Sequence, residues 1–285
     1  MPVATPEPAS GTEETKPWAL RELPVFPPIT TKLLQLLSND EAQIHKLVEL
    51  LRSDAAFTAE VLRRANSPLY GLRAQVSGLQ QAVLLLGFDQ MRSLAMAISM
   101  GSYLKPAMRI AALRRCWRHS IATAILCEEI AKAMRIETDR AYTAGILHDI
   151  GLLGLMVNYP NEYANLLVVT DENSFDLRLV ERAQFDVDHC EAGAWLAQQW
   201  NFPEEIQNAA RYHHDEPKPG DASLTSIVYW ASLIADLLGF HLTGQPNPFP
   251  YAELRSQLPG RASTGLPEDE KELREKIAVK VDALE

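Results

Sequence analysis

Apolar residues recur at three- and four-residue intervals along most of this chain, and no stretch alternates in the manner of a strand. Leu33, Leu34, Leu36 and Leu37 form a short apolar face. Ser38-Asn39-Asp40 ends that helix and offers a cap for the next, where Ile44, Leu47, Val48 and Leu51 recur. Asp54 caps a third helix with Phe57, Val61 and Leu62 on one side, and Asn66-Ser67-Pro68 stops it, because proline disfavours helical geometry in the residue before it. A tight turn at Tyr70-Gly71 follows. Ser77 caps Leu79–Leu86, Gly87 terminates it, and Asp89 starts a longer helix carrying Met91, Leu94, Ala95, Ile98 and Met100. Beyond Pro106 the periodicity predicts helices over 110–134, 139–154, 160–170, 175–185, 189–200, 203–212 and 224–238. The fold class is all-α.

After His241 the composition shifts to Pro246, Pro248, Pro250, Pro259 and Gly260, which reads as a loop-rich linker. The final segment, 267–285, places Leu273, Ile277, Val281 and Leu284 on one stripe, either to dock on its own domain or to bind a partner. The expected organisation is a disordered tail over 1–17, a helical domain over 18–242 and a Pro-rich linker with a C-terminal helix over 243–285. Within the domain, 18–105 is an N-terminal helical lobe and 106–242 a second lobe.

Composition narrows the function. The chain of 285 residues has 27 Lys plus Arg against 37 Asp plus Glu, a net charge of −10, which disfavours polyanion binding and hence direct contact with nucleic acid. Its 47% hydrophobic and 22% charged residues are those of a globular chain. The apolar windows 82–88, 94–100 and 152–157 are shorter than the roughly 18 to 20 residues that cross a bilayer, so no membrane span is expected. Cys116, Cys127 and Cys190 form no CxxC pair and fit a reduced, cytoplasmic setting.

Five of the seven histidines fall in the second lobe: His119, His148, His189 and the pair His213-His214. His148-Asp149 interrupts an otherwise apolar run, Ala144 to Met156, where an unpaired buried carboxylate costs several kcal/mol. Asp149 therefore needs a partner: a divalent metal shared with neighbouring histidines, or a protein donor such as an arginine or a protonated histidine. Imidazole with carboxylate suits zinc, iron or manganese. His45 and His241 read as ordinary surface residues, and Trp117, Trp195, Trp200 and Trp230 as anchors between helices.

With these segments in view, the chain resembles the HDOD family, the HD-related output domain of bacterial signalling and a relative of HD-type metal phosphohydrolases. The resemblance rests on Leu23-Pro24-Val25-Phe26-Pro27-Pro28, Asn66-Ser67-Pro68-Leu69-Tyr70-Gly71, Ala82-Val83-Leu84-Leu85-Leu86-Gly87, Cys116-Trp117-Arg118-His119-Ser120 and Gly145-Ile146-Leu147-His148-Asp149-Ile150-Gly151. His189 through Gly193, Trp200-Asn201-Phe202-Pro203 and His213-His214 complete it, in family order over residues 20–240. It implies an HD-like second lobe and names His119, His148, Asp149, His189, His213 and His214 as candidate ligands of a divalent metal ion.

Two departures count against hydrolysis. Catalytic relatives place an aspartate on the late helix, where this chain puts Ser232; Asp236, one turn later, substitutes only if the register shifts. Binuclear relatives carry a glutamate one turn before the first histidine, where this chain has Arg115. The Gly-Tyr-Pro signature of cyclic-di-GMP phosphodiesterases is missing after His214. Arg115 and Arg118, in a local basic run with Arg109 and Arg114, are either a solvated face or an anion pocket that binds without cutting; Arg115 is also a candidate partner for Asp149. The resemblance implies a non-enzymatic regulatory module that contacts signalling proteins, with a metal-dependent phosphohydrolase of nucleotides as the alternative.

Overall fold

The structure, a computed structural model, describes residues 17–21, 32, 36, 44–53, 55–67, 70, 76–200, 202–244 and 249–284. The expected tail, the helix face of Leu33, Leu34 and Leu37, the caps at Ser38–Asp40 and Asp54, the Leu23–Pro28 segment and the Gly71 turn lie outside the described residues. The described residues contain helices and no strand. No described helix is long and apolar enough to cross a membrane.

The N-terminal part comprises α1 (Ile44–Arg52), α2 (Ala55–Ala65), α3 (Leu79–Leu86) and α4 (Phe88–Leu104). Leu47, Val48 and Leu51 are buried, as their spacing requires. Two termini differ by a residue from expectation. Gly78 rather than Ser77 is the N-cap of α3, while the Ser77 amide and hydroxyl donate to Gln81 Oε1. Gly87, at φ 84°, both ends α3 and begins α4, a backbone region open to glycine and strained for other residues.

The second part is built on α5 (Ala111–Met134), 24 residues long. It is flanked by α6 (Thr138–Leu147), α12 (Leu224–Leu237), α14 (Ala262–Gly265) and α15 (Glu270–Leu284), while α7 (Ile150–Asn158), α8 (Pro160–Asn173), α9 (Leu177–Phe185), α10 (His189–Gln199), α11 (Glu204–Tyr212) and α13 (Tyr251–Gln257) complete it. The buried face of α5 carries Leu113, Cys116, Trp117, Ile121 and Ile130, and His119 lies in that same face. An apolar surround of this kind is what makes a histidine there costly unless it is bonded.

Two readings of the sequence are corrected and one open alternative is decided. The helix expected over 139–154 is two helices, broken at His148-Asp149, because apolar periodicity continues across a kink that it does not register. The expected linker contains α13 and α14: Pro250 stands at the N-cap of α13, where a missing N–H costs nothing. The stripe of α15 is already covered, with Leu273, Ile277 and Val281 wholly buried. Lys276 and Lys280 reach Glu129 of α5 at 2.5 and 2.8 Å, and Asp282 reaches Arg118 at 2.8 Å. This helix docks on its own chain.

The glycines flanking the doublet explain how the kink is held. A Cβ on Gly145 would lie 2.6 Å from Ala124 Cα, and one on Gly151 would lie 2.1 Å from the His189 carbonyl and 2.3 Å from the Gly193 amide. Each glycine lets α6 or α7 press backbone to backbone against α5 or α10, and the two crossings fix both arms of the kink. Gly151→Ala is expected to lower stability by about 2 kcal/mol or more. Gly101→Ala, whose nearest neighbour is Trp117 at 3.8 Å, should be neutral or stabilising by up to about 1 kcal/mol. Urea unfolding of the two variants checks this; equal stabilities would contradict the close-crossing account.

Candidate metal centre

Asp149 stands at the N-cap of α7, where aspartate ordinarily turns its carboxylate onto the free amides of the first turn. Here the side chain makes no capping bond. The carboxylate is wholly buried and neither oxygen has a hydrogen-bond partner. It points instead at imidazoles from four other stations. Oδ2 lies 3.2 Å from His148 Nε2 and 3.9 Å from His119 Nε2; Oδ1 lies 3.3 Å from His213 Nε2 and 3.9 Å from His189 Nε2.

The opposite ring nitrogens are all committed. His119 Nδ1 is 2.7 Å from the Phe240 carbonyl, His148 Nδ1 is 2.7 Å from the Gly145 carbonyl, and His213 Nδ1 is 3.1 Å from the Ala210 carbonyl. A carbonyl only accepts, so these Nδ1 atoms carry a hydrogen, and each ring turns its Nε2 toward Asp149. His189 follows the same rule with a carboxylate: Nδ1 donates to Glu181 Oε2 at 2.6 Å, and its backbone amide donates to the same oxygen at 2.9 Å. The other Glu181 oxygen accepts from Tyr163 Oη. Backbone or carboxylate partners that orient the rings of a metal site from behind are arranged in this way.

Local structure places each ring. His119 comes from mid-α5 and His148 from the end of α6. His189 opens α10 directly after Asp188, whose carboxylate accepts from the Glu191 amide while Glu191 reaches back in a capping box. His213 and His214 leave α11, with His213 buried and His214 exposed at the edge. His189 Nε2 and His214 Nε2 are 2.9 Å apart.

Charge follows this geometry. Burial by itself would raise the Asp149 carboxyl, yet the facing His148 and His213 hold it well below the usual carboxylate range. Burial pushes His213 down to about 4, against the pull of Asp149. For His189, Glu181 outweighs burial and holds the ring well above its ordinary value. Burial likewise opposes a charge on His119, and Asp236 and Asp149 overcome it.

The candidate ligands His119, His148, Asp149, His189, His213 and His214 are therefore brought together. Arg115 and Arg118 are turned elsewhere. Arg115 Nη2 binds Asp171 at 3.0 Å, and Asp171 also accepts from the Gly244 amide; Arg118 binds Asp282. Arg115 is thus the partner of Asp171, not of Asp149, and of the two alternatives for these arginines the anion pocket is disfavoured, because both meet the chain's own carboxylates.

The late-helix register is also settled. Ser232 Oγ lies 3.3 Å from His119 Nε2, on the inward side, whereas Asp236 Oδ1 lies 3.2 Å from His119 Nδ1, behind the ring. Asp236 therefore lies behind the ring of His119, whose Nδ1 is held by the Phe240 carbonyl, and does not replace the missing acid.

Glu181 went unrecognised in the sequence. It lies in the amphipathic helix α9, where a lone glutamate reads as a solvated charge; its burial depends on Tyr163 and His189, which are distant in sequence. Glu181→Ala should cost about 3 kcal/mol, by leaving His189 and Tyr163 unpaired in the interior. Glu181→Gln should cost less, because its amide oxygen can still accept both His189 hydrogens. Chemical denaturation measures both, and an Ala variant as stable as the parent would contradict this role.

Comparison with known proteins agrees with this architecture. A model of the HDOD domain matches residues 23–216. The crystal structure of an HDOD domain protein of unknown function from Geobacter sulfurreducens aligns with a TM-score of 0.72 and 26% identity, over 93% of this chain and 96% of that one. A phosphohydrolase candidate from Shewanella amazonensis SB2B shares the fold, with a TM-score of 0.67 and 24% identity over 94% and 97% of the two chains. An uncharacterized protein of Treponema pallidum (strain Nichols) is 27% identical over 215 residues, 73% of this chain. The chain spans only 42% of that relative's length. With the family match extending over most of its length and the histidine centre in place, this chain belongs to the HDOD domain family.

Proposed function

We propose that the chain is a cytoplasmic regulatory module of signal transduction that acts through contacts with other signalling proteins, and that its HD-type centre holds a divalent ion without hydrolysing a substrate. The observation that carries this reading is the closure of the centre. His119, His148, Asp149, His189 and His213 are each no more than 2% exposed. Ser232 also faces the inward nitrogen of His119 where catalytic relatives carry an acid. A hydrolytic metal needs an open position that substrate and water can reach.

The donor set fits an ion. His119, His148 and Asp149 each offer one atom within 4.8 Å of the others. Among the buried polar atoms without a hydrogen-bond partner are both Asp149 oxygens, His148 Nε2 on the Oδ2 side and His213 Nε2 on the Oδ1 side. A divalent ion there would supply the positive charge that the buried carboxylate otherwise lacks. Burial also couples the ion to the fold, since the ligands come from α5, α6, the α6–α7 kink, α10 and the end of α11.

The surface supports the contact half of the reading. Two adjoining clefts of about 250 and 550 Å³ share Ser102, Lys105 and Met108. Arg63 and Arg64 edge one but are both paired with Glu60 in the same wall, whereas Lys105, Arg109 and Arg114 line the other, so the basic character suited to an acidic protein segment lies in the larger cleft.

Purified full-length protein should retain a divalent metal by elemental analysis. Chelation should lower Tm by about 5 °C or more, and Asp149→Asn should lose both the metal and the chelator response. No turnover is expected with bis(p-nitrophenyl) phosphate or a nucleotide panel in the presence of Mn²⁺, Zn²⁺ or Fe²⁺. Hydrolysis that disappears in His148→Ala would replace this reading with that of a phosphohydrolase.

A further inference from the structure

The two sides of the Asp149 carboxylate face chemically different donors. On the Oδ2 side stand His119 and His148, nitrogen and oxygen chemistry only. On the Oδ1 side, His189 and His213 are joined by His214 and by a sulfur: Cys190 directly follows His189 in the first turn of α10, is buried, and forms no disulfide. Ligand atoms of His189, Cys190, His213 and His214 all lie within 4.8 Å of one another.

Several features distinguish this group from a buried cysteine that happens to have polar neighbours. His213 Nε2 is buried, has no hydrogen-bond partner and faces Asp149 Oδ1 at 3.3 Å. His189 Nδ1 is held by Glu181, which turns Nε2 toward His214 and the rest of the group. His189 Nε2 and His214 Nε2 are 2.9 Å apart, so the two nitrogens share one position, which either a hydrogen or an ion between them fills. Tetrahedral coordination with metal–nitrogen bonds of about 2.0–2.1 Å and a metal–sulfur bond of about 2.3 Å has ligand–ligand edges of about 3.3–3.6 Å. The group reaches that size by contracting about 1.5 Å at most along its longest edge and by opening the His189–His214 edge, now 2.9 Å, by about 0.4 Å.

We infer that Cys190 is a thiolate ligand which, with His189, His213 and His214, forms a second ion position beside the His119–His148–Asp149 set, selective for zinc-type ions. The inference rests on the reading of the centre as metal-holding and deepens it. A thiolate among imidazoles favours Zn²⁺ or Co²⁺ over the harder Mn²⁺ or Mg²⁺. On binding, the Cys190 thiol releases its proton to solvent and a metal–sulfur bond forms, with no change of oxidation state.

Cobalt(II) titration of the metal-free full-length chain tests this, with equilibrium dialysis counting bound ion and absorption spectroscopy reporting its ligands. A near-ultraviolet sulfur-to-cobalt charge-transfer band is expected, together with intense visible bands of tetrahedral cobalt. Cys190→Ser should lose the charge-transfer band and retain less cobalt, while Cys116→Ser, a buried thiol outside the group, should keep both. Cobalt retained by the parent chain without a charge-transfer band, or a band that survives in Cys190→Ser, would overturn the thiolate assignment and leave the metal-holding centre standing. No cobalt retained at all would overturn both. The parent chain's spectrum decides the matter even if a variant fails to fold.

Discussion

The structure depends on a single buried carboxylate that does not do its local work. Asp149 occupies an N-cap, where bonding the first-turn amides is the ordinary use of aspartate, and leaves that use aside to face four Nε2 atoms. A carboxylate without solvent costs several kcal/mol unless cationic partners meet it. Most of the second half of the chain can be understood as the means of bringing those partners to it.

Rings are presented by rigid elements and locked from behind. Carbonyls of Gly145, Ala210 and Phe240 take the Nδ1 hydrogens of three histidines, and Glu181 takes the fourth. Gly145 and Gly151 let the arms of the α6–α7 kink meet α5 and α10 at backbone distance, so the doublet is fixed by two helix crossings rather than by a loop. The same closure that orients the rings also buries His119, His148, Asp149, His189 and His213, with His214 at the exposed edge. On the proposed reading, an ion held by residues from so many helices would tie its binding to the stability of the whole unit.

The residues that converge here were implied by the family resemblance, which rests on short segments: Cys116 to Ser120 in a long helix, the His148-Asp149 doublet between Gly145 and Gly151, His189 through Gly193, and the His213-His214 pair. The late-helix register followed as well, with Ser232 facing inward and Asp236 one turn behind. What periodicity did not reveal has physical reasons. The kink at His148-Asp149 is invisible because apolar residues continue on both sides of it. The helix at Tyr251–Gln257 was hidden by proline-rich composition, although proline is compatible with a helix start. Glu181 carries no local signal, since its partners come from other elements. The arginine run was visible as charge, but its pairing with Asp171 and Asp282 is a property of the tertiary structure alone.

The central claim is that a divalent ion, not a proton, satisfies Asp149. Anomalous diffraction from crystals of the untreated full-length protein, collected on both sides of the zinc, iron and manganese edges, tests it most directly. The account predicts an anomalous peak about 2.0–2.2 Å from Asp149 and from the Nε2 atoms of His119 and His148. A centre without a peak, in which Asp149 instead accepts hydrogen bonds from protonated histidines, would contradict it.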